Sequence, residues 1–173
     1  MIAAVVLAAG ASTRFGAPKQ RLLLPEVLAR VREAGVDEIV VVAGAHELDA
    51  DARIVRCPDW ERGPGASLRC GLEALAPEAE AALVVLADGP DLDPRAVERI
   101  RSHAGEADVV AATYGGVRLH PVLLARTVWA GIPDDGARSL SALEIQCDDL
   151  DPPGDVDFAD EMPESLKQPH RES

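Results

Sequence analysis

The chain has 173 residues, 47% of them hydrophobic, with 17 Lys and Arg against 30 Asp and Glu for a formal charge of −13. That length suffices for one domain with a substantial core and is short for two. So acidic a surface repels nucleic acid backbones, and no stretch has the length of a membrane-spanning helix, so neither nucleic acid nor membrane is expected as a partner.

The chain opens with an uninterrupted aliphatic run, Ile2 to Leu7, the pattern of a strand buried on both faces. No Lys or Arg precedes it, which weighs against a signal peptide cleaved near Ala8-Ala9-Gly10-Ala11. The run breaks into a small-residue loop, Gly10 to Lys19. Leu24, Leu28 and Val31 then repeat at helical spacing, with Pro25 suited to a first turn and Gly35 to the end. Glu38–Ala43 and Arg53–Cys57 read as strands two and three. Gly63-Pro64-Gly65 is a loop, followed by a helix carrying Leu68, Leu72 and Leu75, with Ser67 as its N-cap. Ala82–Ala87 is a further buried strand. After Asp88-Gly89-Pro90 a helix opens at Asp93-Pro94, with Leu92 and Val97 spaced as a hydrophobic staple. Val109–Ala112 is a strand, Gly115-Gly116 a turn, Val117–His120 a return strand, and a helix is expected at Pro121.

This alternation predicts an α/β protein, a three-layer Rossmann-like fold with a mostly parallel sheet. One domain is expected over residues 1–162, with a polar, flexible tail over 163–173. Cys57, Cys70 and Cys147 are odd in number and lack Cys-x-x-Cys spacing, so neither a disulfide framework nor structural zinc is expected, and a reducing, cytoplasmic setting is.

In open α/β sheets ligands sit beyond the carboxyl ends of the strands, so polar residues just after apolar runs are the site candidates. The first run delivers Ser12, Arg14 and Lys19, and the one ending at Ala87 delivers Asp88; Asp157 follows the segment at Val156. Gly10 and Gly16 free the backbone to approach a ligand, while Arg14 and Lys19 suit phosphate oxygens. The loop is neither a Walker loop, which needs Gly-Lys-Ser/Thr, nor a dinucleotide loop with three closely spaced glycines. Of the 17 basic residues only Lys19 and Lys167 are lysine, which favours a particular role for Lys19 over that of a solvated charge. Two carboxylates at one edge suit Mg²⁺. Other readings stand beside these: Asp88 as a cap before Pro90, Asp157 as one of several solvated acids, and His120 as a structural residue. Ser67 and Arg69 are divided between a base or phosphate contact and a cap with a solvated charge.

The segment Leu7-Ala8-Ala9-Gly10-x-Ser12-x-Arg14-x-Gly16-x-x-Lys19 resembles the signature of the nucleotidyltransferases that act on the molybdenum cofactor, the MobA/MocA-like NTP transferases, within the nucleotide-diphospho-sugar transferase type of fold. Five further segments match in order: Gly65-Ala66-Ser67-Leu68-Arg69-Cys70-Gly71-Leu72, Leu86-Ala87-Asp88-Gly89-Pro90, His120-Pro121-Val122-Leu123, Asp135-Gly136-Ala137-Arg138 and Asp155-Val156-Asp157. The resemblance implies a backbone from Leu7 and Ala8 to Gly10 lying along base and ribose, with Ser12, Gly16 and Ser67 around the nucleotide. It implies a triphosphate held by Arg14 and Lys19, Mg²⁺ on Asp88 and Asp157, and catalysis by Arg14, Lys19 and Asp88. His120 and Arg138 fall on the acceptor side. The Ala8-Ala9 pair resembles the cytidylyl branch, making CTP the favoured nucleotide over GTP. A phosphorylated acceptor, molybdopterin, and a molybdoenzyme or cofactor-delivery protein as partner follow from the same resemblance. The alternatives are guanylyl transfer, a deazaflavin-precursor or sugar-phosphate acceptor, or NTP binding without turnover.

The chain departs from the family pattern in several places. The passage after Lys19 is collapsed into Gln20–Glu26, Phe15 replaces Met, and Gly89 replaces a larger residue. Leu119 stands where Gly precedes His, and Phe158-Ala159 where Thr-Pro is expected. These changes concentrate on loop length and the acceptor side.

Overall fold

A computed structural model describes residues 1–9, 19–36 and 38–154, with the side chains of residues 19–22 left out. Gly10, Ser12, Arg14, Gly16, Asp157, the side chain of Lys19 and the tail over 163–173 therefore lie outside the described residues.

Seven strands form one sheet: β1 (Ile2–Ala8), β2 (Glu38–Ala43), β3 (Arg53–Arg56), β4 (Ala81–Leu86), β5 (Val109–Tyr114), β6 (Val117–Ala125) and β7 (Leu143–Gln146). Their spatial order is β3-β2-β1-β4-β6-β5-β7, and within it only β6 runs against its neighbours. Among the described residues three α-helices cover the faces: α1 (Lys19–Glu33), α2 (Pro64–Glu73) and α3 (Pro94–Arg101).

Side chains alternate across the pleat, so an all-apolar strand must bury both faces. Val6, Val41, Leu83 and Val110 point to one face and pack with Leu24, Leu28 and Val31 of α1 and Val97 and Ile100 of α3. Val5, Val42, Ala82 and Leu124 point to the other and pack with Leu68 and Leu72 of α2. The result is three layers, with α1 and α3 on one side and α2 on the other.

Several local expectations are corrected. Helix α1 begins at Lys19, so Pro25 lies inside it rather than in the first turn. Helix α2 begins at Pro64 with Gly63 in the cap position, so Ser67 is a buried helical residue and not an N-cap. Cys57 and Cys70 form a disulfide with Cα atoms 5.9 Å apart, against the expectation of none: packing of α2 over the end of β3 brings together two cysteines whose spacing carries no motif.

The region of Pro121 is the largest correction. No helix forms there; β6 runs on to Ala125, and a 3-10 turn follows at Arg126–Gly131. The His120–Pro121 peptide is cis. Proline has no N–H for the ladder, and the β5–β6 register is irregular between Ala111 and Thr113, opposite this stretch. The apolar residues Val122, Leu123 and Leu124 win the strand assignment because the slot between β4 and β5 buries both their faces. Strand β7 escapes sequence reading because Leu-Glu-Ile-Gln is a short, mostly exposed edge.

Candidate active site

Strands β1 and β4 are parallel neighbours that end level. Leu7 pairs with Leu86, and the Ala87 N–H donates to the Leu7 carbonyl at 2.9 Å. Ala9 and Asp88 therefore emerge side by side at the carboxyl edge. Asp88 is half-buried. The capping role belongs to Asp93, whose carboxylate accepts from the Arg95 N–H at 2.9 Å and is held below its usual pKa chiefly by the Arg95 side chain.

A cavity of about 310 Å³ opens here, lined by Leu7, Ala9, Trp60, Gly63, Pro64, Ser67, Leu86 and Asp88. Ser67 reaches it from the first turns of α2. A second cavity of about 350 Å³ shares the wall formed by Leu7, Pro64 and Leu86, and is lined by Arg118, Leu119, His120, Asp135 and Arg138 among others. The two chambers place Asp88 with Ala9 and Ser67 on one side, and His120 with Arg138 on the other.

Reversal of β6 explains the second chamber. Val122 of β6 pairs with Val84 of β4, so residues before it, including His120, lie toward the edge where β4 ends. His120 is buried against the turn that follows Asp88: a Cβ on Gly89 would lie 2.8 Å from His120 Nε2. The departure from the family pattern at Gly89 thus makes room for the His120 ring.

The wall opposite β6 is a loop, Ile132–Leu140, latched to α2. Gly65 donates its N–H to the Asp134 carbonyl at 2.8 Å, and any side chain at Gly65 would collide with the Pro133 carbonyl. Arg69 reaches Asp134 at 2.6 Å and the Ile132 carbonyl at 2.5 Å, while Arg62 reaches Asp134 at 3.3 Å. Arg69 is thereby a latch residue, and the structure does not bring it to the first chamber. Arg118 donates to the carbonyls of Ala137 and Leu140 at 2.8 and 2.7 Å, fastening the loop to β6. Arg138, carried on that loop, is exposed and makes no hydrogen bond or ion pair among the described residues.

Sequence reading did not single out Trp60 or Arg118, which line the chambers. Trp60 precedes the Gly-Pro-Gly loop and is one of two tryptophans, a signal that could have drawn attention to it. Among the described residues no group of three His, Cys, Asp or Glu side chains gathers to hold a metal. Asp88 is a hard oxygen donor at a cavity edge, which suits a divalent cation completed by substrate phosphates and water. Among the described residues no helix is long and apolar enough to cross a membrane.

A three-layer α/β sheet with two chambers at its carboxyl edge, one beside a strand-end carboxylate, suits a nucleotidyltransferase, the class to which the family match assigns the chain. The MobA-like NTP transferase domain matches residues 4–144, and the chain belongs to that family. It is similar to Rv0371c of Mycobacterium tuberculosis H37Rv, at 31% identity and a TM-score of 0.76, covering 92% of this chain and 95% of that one. A structure of Rv0371c in complex with manganese aligns at 26% identity and a TM-score of 0.66, covering 84% and 87%. The bifunctional protein GlmU of Trichlorobacter lovleyi is 33% identical over 125 residues, 62% of this chain, and the chain spans only 27% of its length.

Proposed function

We propose that the protein is a divalent-metal-dependent nucleotidyltransferase, built as one domain over residues 1–162, that transfers NMP, with CMP favoured, from an NTP to a phosphorylated acceptor. The acceptor we favour is molybdopterin, and the metal is Mg²⁺. The observation that carries the reading is the pair of chambers sharing the Leu7, Pro64 and Leu86 wall, one with Asp88 and the other with His120 and Arg138.

In this reading the donor lies along the strand ends at Ala8 and Ala9, with Ser67 beside it and the triphosphate held by Arg14 and Lys19. A phosphate oxygen of the acceptor, oriented by Arg138 and His120, attacks the α-phosphorus. A new P–O bond forms, the α–β anhydride bond breaks, and pyrophosphate leaves with the electron pair. The chemistry needs positioning and charge neutralisation more than covalent help. Asp88 with Asp157 would hold the cation, which when bound supplies positive charge for the phosphates. The manganese complex of Rv0371c supports the use of a divalent ion in this family. The favoured CTP rests on the Ala8-Ala9 pair, and a molybdoenzyme or cofactor-delivery protein is the partner in keeping with the acceptor.

The test is pyrophosphate release with each of four NTPs against molybdopterin-type, deazaflavin-precursor and sugar-phosphate acceptors, with and without Mg²⁺. Release with CTP and a molybdopterin acceptor is expected. Preference for GTP or another acceptor would correct the substrate. Absence of release in every combination would leave an NTP-binding protein without turnover.

A further inference from the structure

Trp60 stands apart from the other described tryptophan. Trp129 is used within the fold: its Nε1–H donates to the Leu124 carbonyl at 3.1 Å, and the Arg126 guanidinium lies 4.7 Å from its ring centroid. The Trp60 indole makes no hydrogen bond among the described residues, although it is half-buried and borders the chamber that holds Ala9, Ser67 and Asp88. Indole N–H groups usually find an acceptor when they are buried. An indole N–H that no described residue claims, at a cavity wall, is open to water and to a ligand.

The indole is also held in place. Gly44, just after β2, has no side chain where Trp60 sits: a Cβ there would lie 2.6 Å from Trp60 Cγ and 2.8 Å from the Ala9 carbonyl oxygen. Trp60 is thus pressed against the chain just after β2, and the Gly63 N–H holds its carbonyl at 3.2 Å. Trp60 packs against the apolar layer under α2 and also borders the open chamber. The rest of that wall, Leu7, Ala9, Pro64 and Leu86, is aliphatic or small, so Trp60 is the only π-surface lining it among the described residues.

We propose that the nucleobase of the donor nucleotide packs on the indole of Trp60. The inference rests on the nucleotidyltransferase reading and adds a base-binding residue to it. Every base has a π-face, so such packing supports affinity for pyrimidine and purine nucleotides alike and does not by itself select CTP.

The test uses Trp129→Phe protein, in which Trp60 is the remaining tryptophan. With Mg²⁺ and no acceptor, CTP and GTP are expected to change Trp60 emission saturably, and inorganic tripolyphosphate, which has no base, is expected to bind without that change. In otherwise unaltered protein, Trp60→Ala should raise the Kd for both nucleotides about tenfold, and Trp60→Phe should stay within about threefold, the scale of one lost base–aromatic contact. Tripolyphosphate affinity measured by calorimetry should be the same in all three, which separates base contact from misfolding. Unchanged nucleotide affinity in a Trp60→Ala protein that still binds tripolyphosphate would overturn the proposal and leave the nucleotidyltransferase reading intact. Wild-type protein that binds no NTP would overturn both.

Discussion

Arg69 of α2 and Asp134 of the loop beyond β6 are joined at 2.6 Å, a contact between residues 65 apart in sequence that ties helix α2 to the loop walling the second chamber. Arg62 adds a second contact to the same carboxylate at 3.3 Å.

Breaking this latch should affect the acceptor more than the donor. Asp134→Ala or Arg69→Ala frees the segment that carries Arg138, so the acceptor KM is expected to rise roughly tenfold with the nucleotide KM nearly unchanged, the size of effect that loss of positioning produces. Steady-state kinetics varying one substrate at a time checks it; equal effects on both KM values would deny the latch its acceptor-side role.

The same pair has a pH signature. Arg69, through its hydrogen bond, holds the Asp134 carboxyl below its ordinary value of 3.8. A lowered folded-state pKa means stability that is fully present above that ordinary value and lost as pH falls through the lowered one. Thermal melts of wild type and Asp134→Asn should therefore differ at pH 6 and converge in strong acid. A gap that persists unchanged at the acid end would count against the ion pair.

Asp88→Asn should keep the fold, because α3 is capped by Asp93 and not by Asp88. Turnover should fall by about 10²–10³, the usual scale for losing one charge-stabilising group in a transfer site, with Lys19→Ala following the same pattern. Near-normal pyrophosphate release by either variant would remove it from the catalytic set.

Gly71 of α2 faces the sheet, and a Cβ there would lie 2.5 Å from the Val5 side chain and 2.7 Å from that of Val42. Alanine improves helix propensity by roughly 1 kcal/mol, but overpacking a filled interface costs about 1–3 kcal/mol, so Gly71→Ala should destabilise on balance. Urea denaturation measures the difference. The glycine in the Ser67–Leu72 motif is thereby explained by packing, with no contact to ligand required.

Gly89→Ala should act through His120. The added methyl meets the imidazole at 2.8 Å and displaces it from the second chamber. In a double-mutant cycle the effect of Gly89→Ala on acceptor KM should largely vanish in a His120→Ala background, since neighbours that share a contact are not additive. Additive effects would show that Gly89 and His120 act separately.

Part of the first chamber's lining was legible because its signals are local. Apolar runs that stop abruptly mark strand ends, and Ala9 and Asp88 follow two of them directly. Ser67 lines the first chamber, and its local role was misread, since helix α2 starts three residues earlier at Pro64. Trp60 was missed because a lone aromatic beside a loop has no periodicity. Arg69 was misread because the partner that claims it lies across the molecule.

The sequence by itself determined the α/β alternation, the apolar strands and the carboxylate that follows β4, because hydrophobic periodicity and Gly/Pro punctuation act between near neighbours in the chain. Only the tertiary structure decided that β6 runs on through Pro121 between β4 and β5, that His120 fills the space left by Gly89, and that Trp60 seats against Gly44. Those outcomes depend on which surfaces are left to be buried once the sheet has assembled, and no local pattern carries that information.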